Sequence, residues 1–267
     1  MPADFPLRYD LCDEVNDGPW RMRMGVMLAD HLREATNYMN EWWGRLRDWQ
    51  TWLGVLDGIA DEQQAWRVRA ELVEPPVSWC RLRPSTMRDL LGFVATHAVH
   101  QANLVVDRQY RDRLDEDSAK HHLKRKPREQ QLRRVGRAWT RCKRLSEALS
   151  RIDTKTYRAV THDYRNLASH GMAPRFEFGH TNYVRRAIVP KTELLPNADG
   201  SFSTPESSGK TVVSYAFGGV PPLSLREMHA TNAGEFAPAR EAYRDLLRQL
   251  LGAIRAAATE ASHSDPQ

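Results

Sequence analysis

The chain has 267 residues, 41% of them hydrophobic, with a formal charge of +5 and a pI near 9.2, so it can bury a core without covalent staples and suits a polyanionic partner. Cys12, Cys80 and Cys142 are scattered and form no Cys-x-x-Cys pair, which argues against a disulfide framework or a zinc site and for a reducing cytoplasm. The N-terminus Met1-Pro2-Ala3-Asp4-Phe5 lacks the basic and apolar regions of a signal peptide, and no apolar run approaches the ~20 residues that span a bilayer, so no membrane partner is expected.

Along the chain, residues 1–20 contain Pro2, Pro6, Gly18 and Pro19 and read as an irregular lead-in. From Arg21 to about Leu56 apolar residues, Leu28, Leu32, Met39, Trp42, Leu46, Trp49 and Leu53 among them, recur at helical steps and predict a long helix. A shorter helix is predicted from Asp61 to Leu72, stopped by Pro75-Pro76. A long one opens at Pro84-Ser85-Thr86 and carries Leu90, Leu91, Val94, Ala98, Ala102 and Val105. An amphipathic helix from Glu129 to Leu149 and another from Asp153-Thr154 to Gly171 follow. Beyond Gly171 the period shortens. Phe176, Phe178, Tyr183, Val184, Ile188 and Val189, then residues 211–217, read as strands around a polar tip from Pro196 to Lys210. Gly218-Gly219-Val220-Pro221-Pro222 is expected to end the hairpin, a last helix to run from Ala237 to Ala257, and residues 261–267 to form a disordered tail. The order predicts a mainly α protein: one helical domain over residues 21–260, with a β-hairpin inserted at about 175–220 before the C-terminal helix.

Positive charge is concentrated between Arg108 and Arg151. Lys124, Arg125, Lys126, Arg133, Arg134 and Arg137 are the candidates to neutralise phosphates in a salt-dependent way; the competing explanation is a solvated helix face. Trp42, Trp43, Trp49 and Trp52 have faces that stack on nucleobases, but their helical spacing favours a core role, with Trp42 and Trp43 pointing to different sides. Ser208-Gly209-Lys210-Thr211 resembles the end of a phosphate-binding loop, yet Thr204 stands where the first glycine belongs and a strand follows, so this function is excluded. His97 and His100 lack a second ligand pair and read as buried rings with a carbonyl partner. His121-His122 read as solvated, and neither a metal nor another cofactor is expected.

Asp163-Tyr164-Arg165-Asn166-Leu167-Ala168-Ser169-His170-Gly171 contains Arg-x4-His with a polar residue after the arginine. The spacing recurs as Arg175 and His180, where alternating aromatics and Gly179 predict an extended segment. Around the first copy, Asp153-Thr154 can cap a helix through Tyr157, Val160, Tyr164 and Leu167, which Gly171 closes in the left-handed conformation ahead of Pro174. Positions 165 and 170 lie roughly 140° apart around a helix axis, while Asn166 and His170 share a face. Either the last turn opens, or two copies of the helix meet at a twofold axis.

The motif in this helical setting resembles the HEPN superfamily, small helical bundles that cut RNA without metal in toxin–antitoxin and phage-defence systems. The resemblance covers roughly Arg21 to Gly171, and its specific residues only the motif. It implies a HEPN-like antiparallel helical bundle, a homodimer with the motifs at its interface, and an antitoxin or defence-system partner. In the chemistry that follows, an RNA 2′-hydroxyl attacks the adjacent phosphate, His170 is general base or acid, and Arg165 holds and neutralises the phosphate. Asn166 orients His170 or the phosphate, and Asp163 fixes an arginine or histidine. The alternative is a noncatalytic HEPN-like scaffold or sensor that binds nucleic acid or protein, with Arg165 and His170 in structural roles.

Overall fold

The computed structural model describes residues 6–20, 24–112, 114, 123–191, 195–203 and 209–263; Lys120, His121, His122, Thr204, Ser208 and residues 264–267 of the expected tail lie outside them. The chain forms two compact units, residues 1–165 with 225–267, and residues 166–224. In chain order the elements are α1 (Asp10–Asn16), α2 (Met24–Asp57), α3 (Glu62–Val68), α4 (Glu74–Val106), α5 (Arg125–Val135), α6 (Thr140–Ser150), α7 (Lys155–Val160), α8 (Tyr164–His170), β1 (Thr181–Pro190), β2 (Leu195–Pro196), β3 (Phe202–Ser203), β4 (Thr211–Val220) and α9 (Leu225–His263). The protein is mainly helical with a small antiparallel ribbon between the motif helix and the last helix.

In the first unit, α2, α4 and α9 pack on one another, α1 rests on α2 and α9, α5 on α4, and α6 on α9. On α2 the residues Leu28, Leu32, Ala35, Met39, Trp42, Leu46, Trp49 and Leu53 are all buried. Their alternating steps of four and three residues make a continuous apolar seam. Trp43 is half-exposed, with the Arg47 guanidinium 4.7 Å from its ring centre.

Several boundaries differ from those expected, each for a local reason. The lead-in contains α1. Pro75 and Pro76 do not stop a helix: a π-turn over Arg69–Val73 joins α3 to α4, and the prolines fall in the first turn of α4, where an N–H is not needed. Pro84, expected to open a helix, lies inside α4 and cannot donate to the Cys80 carbonyl. Asn232 of α9 donates to that oxygen instead, through Nδ2 at 2.9 Å, and its Oδ1 accepts from Trp42 Nε1 at 2.7 Å. A single buried amide thus repairs the interrupted ladder of α4 and ties it to α2. α5 starts at Arg125 and not at Glu129, with Pro127 in its first turn. The helix expected to reach Leu149 is split at Gly136, where a Cβ would stand 2.7 Å from Cys142 Cβ. α9 begins at Leu225, well before Ala237, and takes Pro238 within it.

The helix expected from Asp153-Thr154 to Gly171 is also two. Thr154 caps α7, its hydroxyl accepting from Tyr157 N–H at 3.1 Å, but His162 and Asp163 have φ of 49° and 50° and break the run before α8. Such values cost about 1–2 kcal/mol per non-glycine residue. Arg81, 2% exposed, offsets part of this: Nη2 donates to Thr161 O at 3.0 Å, and the guanidinium carbon sits 4.0 Å from the Tyr164 ring centre. Burial lowers its pKa to about 10. Gly171 is not left-handed; its N–H still donates to Leu167 O at 2.9 Å.

In the second unit β1 and β4 pair antiparallel, from Thr181 opposite Val220 to Pro190 opposite Thr211, and β2 and β3 make a short ladder in the tip. β4 runs through Gly218 and Gly219 and does not stop before them. Gly218 lies opposite Tyr183, whose ring would be 2.8 Å from a Cβ there, so the glycine makes room for the aromatic across the ribbon. Phe176 and Phe178 are not in a strand: Phe176 forms one parallel bridge with Leu223, and Glu177 and Gly179 turn the chain at φ 57° and 77° between Arg175 and His180.

Candidate functional site

Arg165 lines a cleft of about 610 Å³ in the first unit. α4 supplies Arg88, Asp89, Gly92 and Phe93, α5 and the residues just before it supply Leu123, Lys124, Arg125, Arg128 and Glu129, and α7 supplies Arg158. Among the described residues, six cations line the cleft against the carboxylates of Asp89, Glu129 and the adjacent Asp153, an excess of three positive charges. Arg88 is held by Glu129 Oε1 at 2.7 Å and donates to Ile152 O at 2.7 Å. Arg128 is 6% exposed, its guanidinium carbon 5.1 Å from the Phe93 ring centre. Arg165 and Lys124 are exposed and, among the described residues, engage no side-chain partner.

Arg125, expected to bind phosphate, is committed to the protein. Nε donates to Asp89 Oδ1 at 2.5 Å, Nη2 to Asp89 Oδ2 at 2.9 Å and to Ser85 Oγ at 2.7 Å, and Nη1 to Asp153. Burial pulls its pKa down, but these carboxylates outweigh burial and hold it above its usual range. Arg125 is therefore a strut of the cleft wall. Asp153, expected as a helix cap, is 4% exposed and also accepts from Arg158, Nη2 to Oδ2 at 2.7 Å. Burial raises its pKa, yet bonds from Arg158 and Arg125 prevail and hold it below the usual value. Arg88 and Arg158 were not singled out from sequence, and Arg128 only as one of the basic residues between Arg108 and Arg151; a basic residue on each of three helices acquires meaning only when the helices meet.

The other expected site residues separate from this cleft. Lys126 is exposed but does not line it. Arg133 and Arg134 stand at the opposite end of α5 and Arg137 just beyond it, on the order of 15 Å along the helix, around two further clefts of about 330 and 550 Å³ that share Arg137 and Trp139. Asp163 is half-buried in the turn before α8, where its charge helps raise the pKa of Arg158, behind the larger effect of Asp153. Asn166 and His170 are exposed on α8, and among the described residues His170 has no side-chain partner. The boundary between the two units falls after Arg165, so the arginine belongs to one and Asn166 and His170 to the other. His162 is half-buried in the turn. His100 meets the Tyr110 hydroxyl, 3.1 Å from Nδ1, and the Asp112 carboxylate, 3.7 Å from Nε2, in place of the expected carbonyl; the His97 ring packs 4.6 Å from Phe93.

Beneath the cleft Asp153 N–H donates to Glu235 Oε2 at 2.5 Å, and burial raises the Glu235 pKa to about 7 from an ordinary 4.5. The folded protein thus keeps a proton that the unfolded chain releases, so the stability Glu235 contributes is full below pH 4.5 and is lost as pH rises through about 7. Glu235→Gln, which retains an acceptor for Asp153 N–H, is expected to flatten the fall in stability across that window, read as urea midpoints at several pH values. An unchanged slope would assign it to other groups.

Among the described residues no group of three or more His, Cys, Asp or Glu side chains is placed to hold a metal, and no helix is long and apolar enough to cross a membrane. Compared with protein-family models, curated proteins and solved structures, the chain finds no match in any of the three.

Proposed function

We propose that this protein is a metal-independent endoribonuclease of the HEPN type, its first unit a HEPN-like helical bundle and its setting a toxin or phage-defence system. The observation that carries the reading is Arg165: the arginine of the motif lines a cleft with excess positive charge and has no protein partner among the described residues. Around it Arg88, Arg125 and Arg158 are held by carboxylates and Arg128 lies over Phe93, so contacts within the protein fix where these cations stand. A planar guanidinium free to make two parallel bonds suits a phosphodiester and the charge that builds as it becomes pentacoordinate. Lys124 adds a second cation that has no side-chain partner among the described residues. The RNA supplies its own nucleophile, the 2′-hydroxyl, so the protein need only align the chain, move protons and stabilise charge. His170 is the proton-transfer group, an imidazole being able both to accept and to donate a proton.

Incubation of the purified protein with total RNA in EDTA tests this. Cleavage is expected to persist, to leave 2′,3′-cyclic phosphate ends, and to stop when the nucleotide at the scissile position is 2′-deoxy. Activity only with added divalent metal, or equal cutting of the deoxy substrate, overturns the mechanism. RNA binding without any cleavage would favour the noncatalytic scaffold.

A further inference from the structure

The two faces of the β1–β4 ribbon differ. On one, Val184 lies opposite Phe217, Arg186 opposite Tyr215, and Ile188 opposite Val213. Every residue of this face is exposed, with Phe217 at 96%, Tyr215 at 68%, Ile188 at 66% and Val184 at 62%. On the other face Ala187, Val189, Ser214, Gly218 and Val220 are half-buried. An isolated two-stranded ribbon is marginal in water, and a contiguous apolar patch this large marks a contact surface.

We propose that a second copy of this chain covers this face, ribbon against ribbon, about a twofold axis parallel to the strands. The rows dictate the axis. A twofold parallel to the strands lays each cross-strand row on its own copy with the two strands exchanged. Each Val184 then meets a Phe217, each Ile188 a Val213, and each Arg186 the ring of a Tyr215, a cation–π pair formed twice. A twofold across the strands would instead set Arg186 on Arg186 or, with the axis between rows, on Val184 or Ile188. The ten residues of β1 and the ten of β4 contain Arg185 and Arg186 and no acid, so an acidic protein would find apolar side chains where it needs further cations, whereas a self-contact needs only aromatic faces for the arginines. The apolar side chains of the face expose on the order of 600 Å² per copy, near the roughly 800 Å² that each partner gives to a stable dimer. This contact is independent of RNA cleavage and lies on the ribbon, not on the motif helix where the HEPN resemblance places the interface.

Sedimentation velocity of the full chain tests it. The wild type is expected to associate at micromolar concentration, to a dimer through the ribbon alone or to a tetramer where the motif helices pair as well. Phe217→Asp and Ile188→Asp should each raise the dissociation constant about 30-fold or more, as loss of a central contact does, with far-UV circular dichroism unchanged. Ala216→Asp, exposed on the opposite face, should leave it within a few-fold and controls for damage to the ribbon. A monomeric wild type overturns the proposal, as does a dissociation constant unmoved by Phe217→Asp and Ile188→Asp, or one moved equally by Ala216→Asp. If the wild type is monomeric and Phe217→Asp weakens binding to single-stranded oligouridylate, the face stacks bases and the second copy is excluded.

Discussion

His170→Ala is expected to reduce RNA cleavage about 10²- to 10⁴-fold while RNA affinity stays within a few-fold, because proton transfer acts on the transition state and not on the bound ground state. The side chain is exposed and, among the described residues, has no side-chain partner, so its removal costs the fold little. Thermal melting should therefore match the wild type, which separates lost chemistry from lost structure. Arg165→Lys keeps the charge at the cleft but loses the planar fork, and should also be severely impaired. Lys124→Gln removes a second cation from the same cleft and should act mainly on affinity, with a shallower dependence of binding on salt. Single-turnover cleavage and filter binding, measured on the same preparations, resolve these effects. Cleavage unaffected by His170→Ala would remove the imidazole from the mechanism, and a drop in melting temperature matching the loss of activity would assign it a structural role.

The helical character of the chain and the ribbon were legible because both depend on local sequence: the buried seam of α2 is spaced at helical steps, and β1 and β4 are rich in β-branched and aromatic residues. Boundaries were not, because they depend on partners distant in sequence. Pro84 reads as a helix start until Asn232 supplies the bond it removes, and the break at His162 and Asp163 has no glycine or proline to announce it; Arg81, far away in sequence, holds it. Arg165 could be named from the motif alone, but its cleft could not. Lys124 and Arg125 are neighbours with the same charge, yet one faces solvent and the other binds Asp89, Asp153 and Ser85, a distinction that composition cannot carry.

Asp153→Asn is expected to lower the stability of the first unit by about 3 kcal/mol, the low end for breaking a buried ion pair by removing one partner. Asp153 is the shared anion of two arginines, and without it Arg158 loses its carboxylate while Arg125 keeps only Asp89. Asparagine is the informative replacement because the residue sits at φ 54°, which asparagine tolerates, so the change removes charge and leaves the backbone preference intact. Urea unfolding at neutral pH measures the loss, and acid supplies the control. The Asp153 pKa is held below its ordinary 3.8 in the fold, so its contribution is full above that value and disappears as pH falls through the folded pKa; the gap between wild type and variant should close in the same range. A gap below about 1 kcal/mol at neutral pH would show the ion pairs contribute no more than surface pairs do. One that persists unchanged in acid would trace the loss to something other than the charge. The same substitution makes the cleft more positive by one charge, so wherever the variant remains folded, RNA binding at low salt should tighten and its salt slope steepen. Stability and binding then move in opposite directions, which general damage to the fold would not produce.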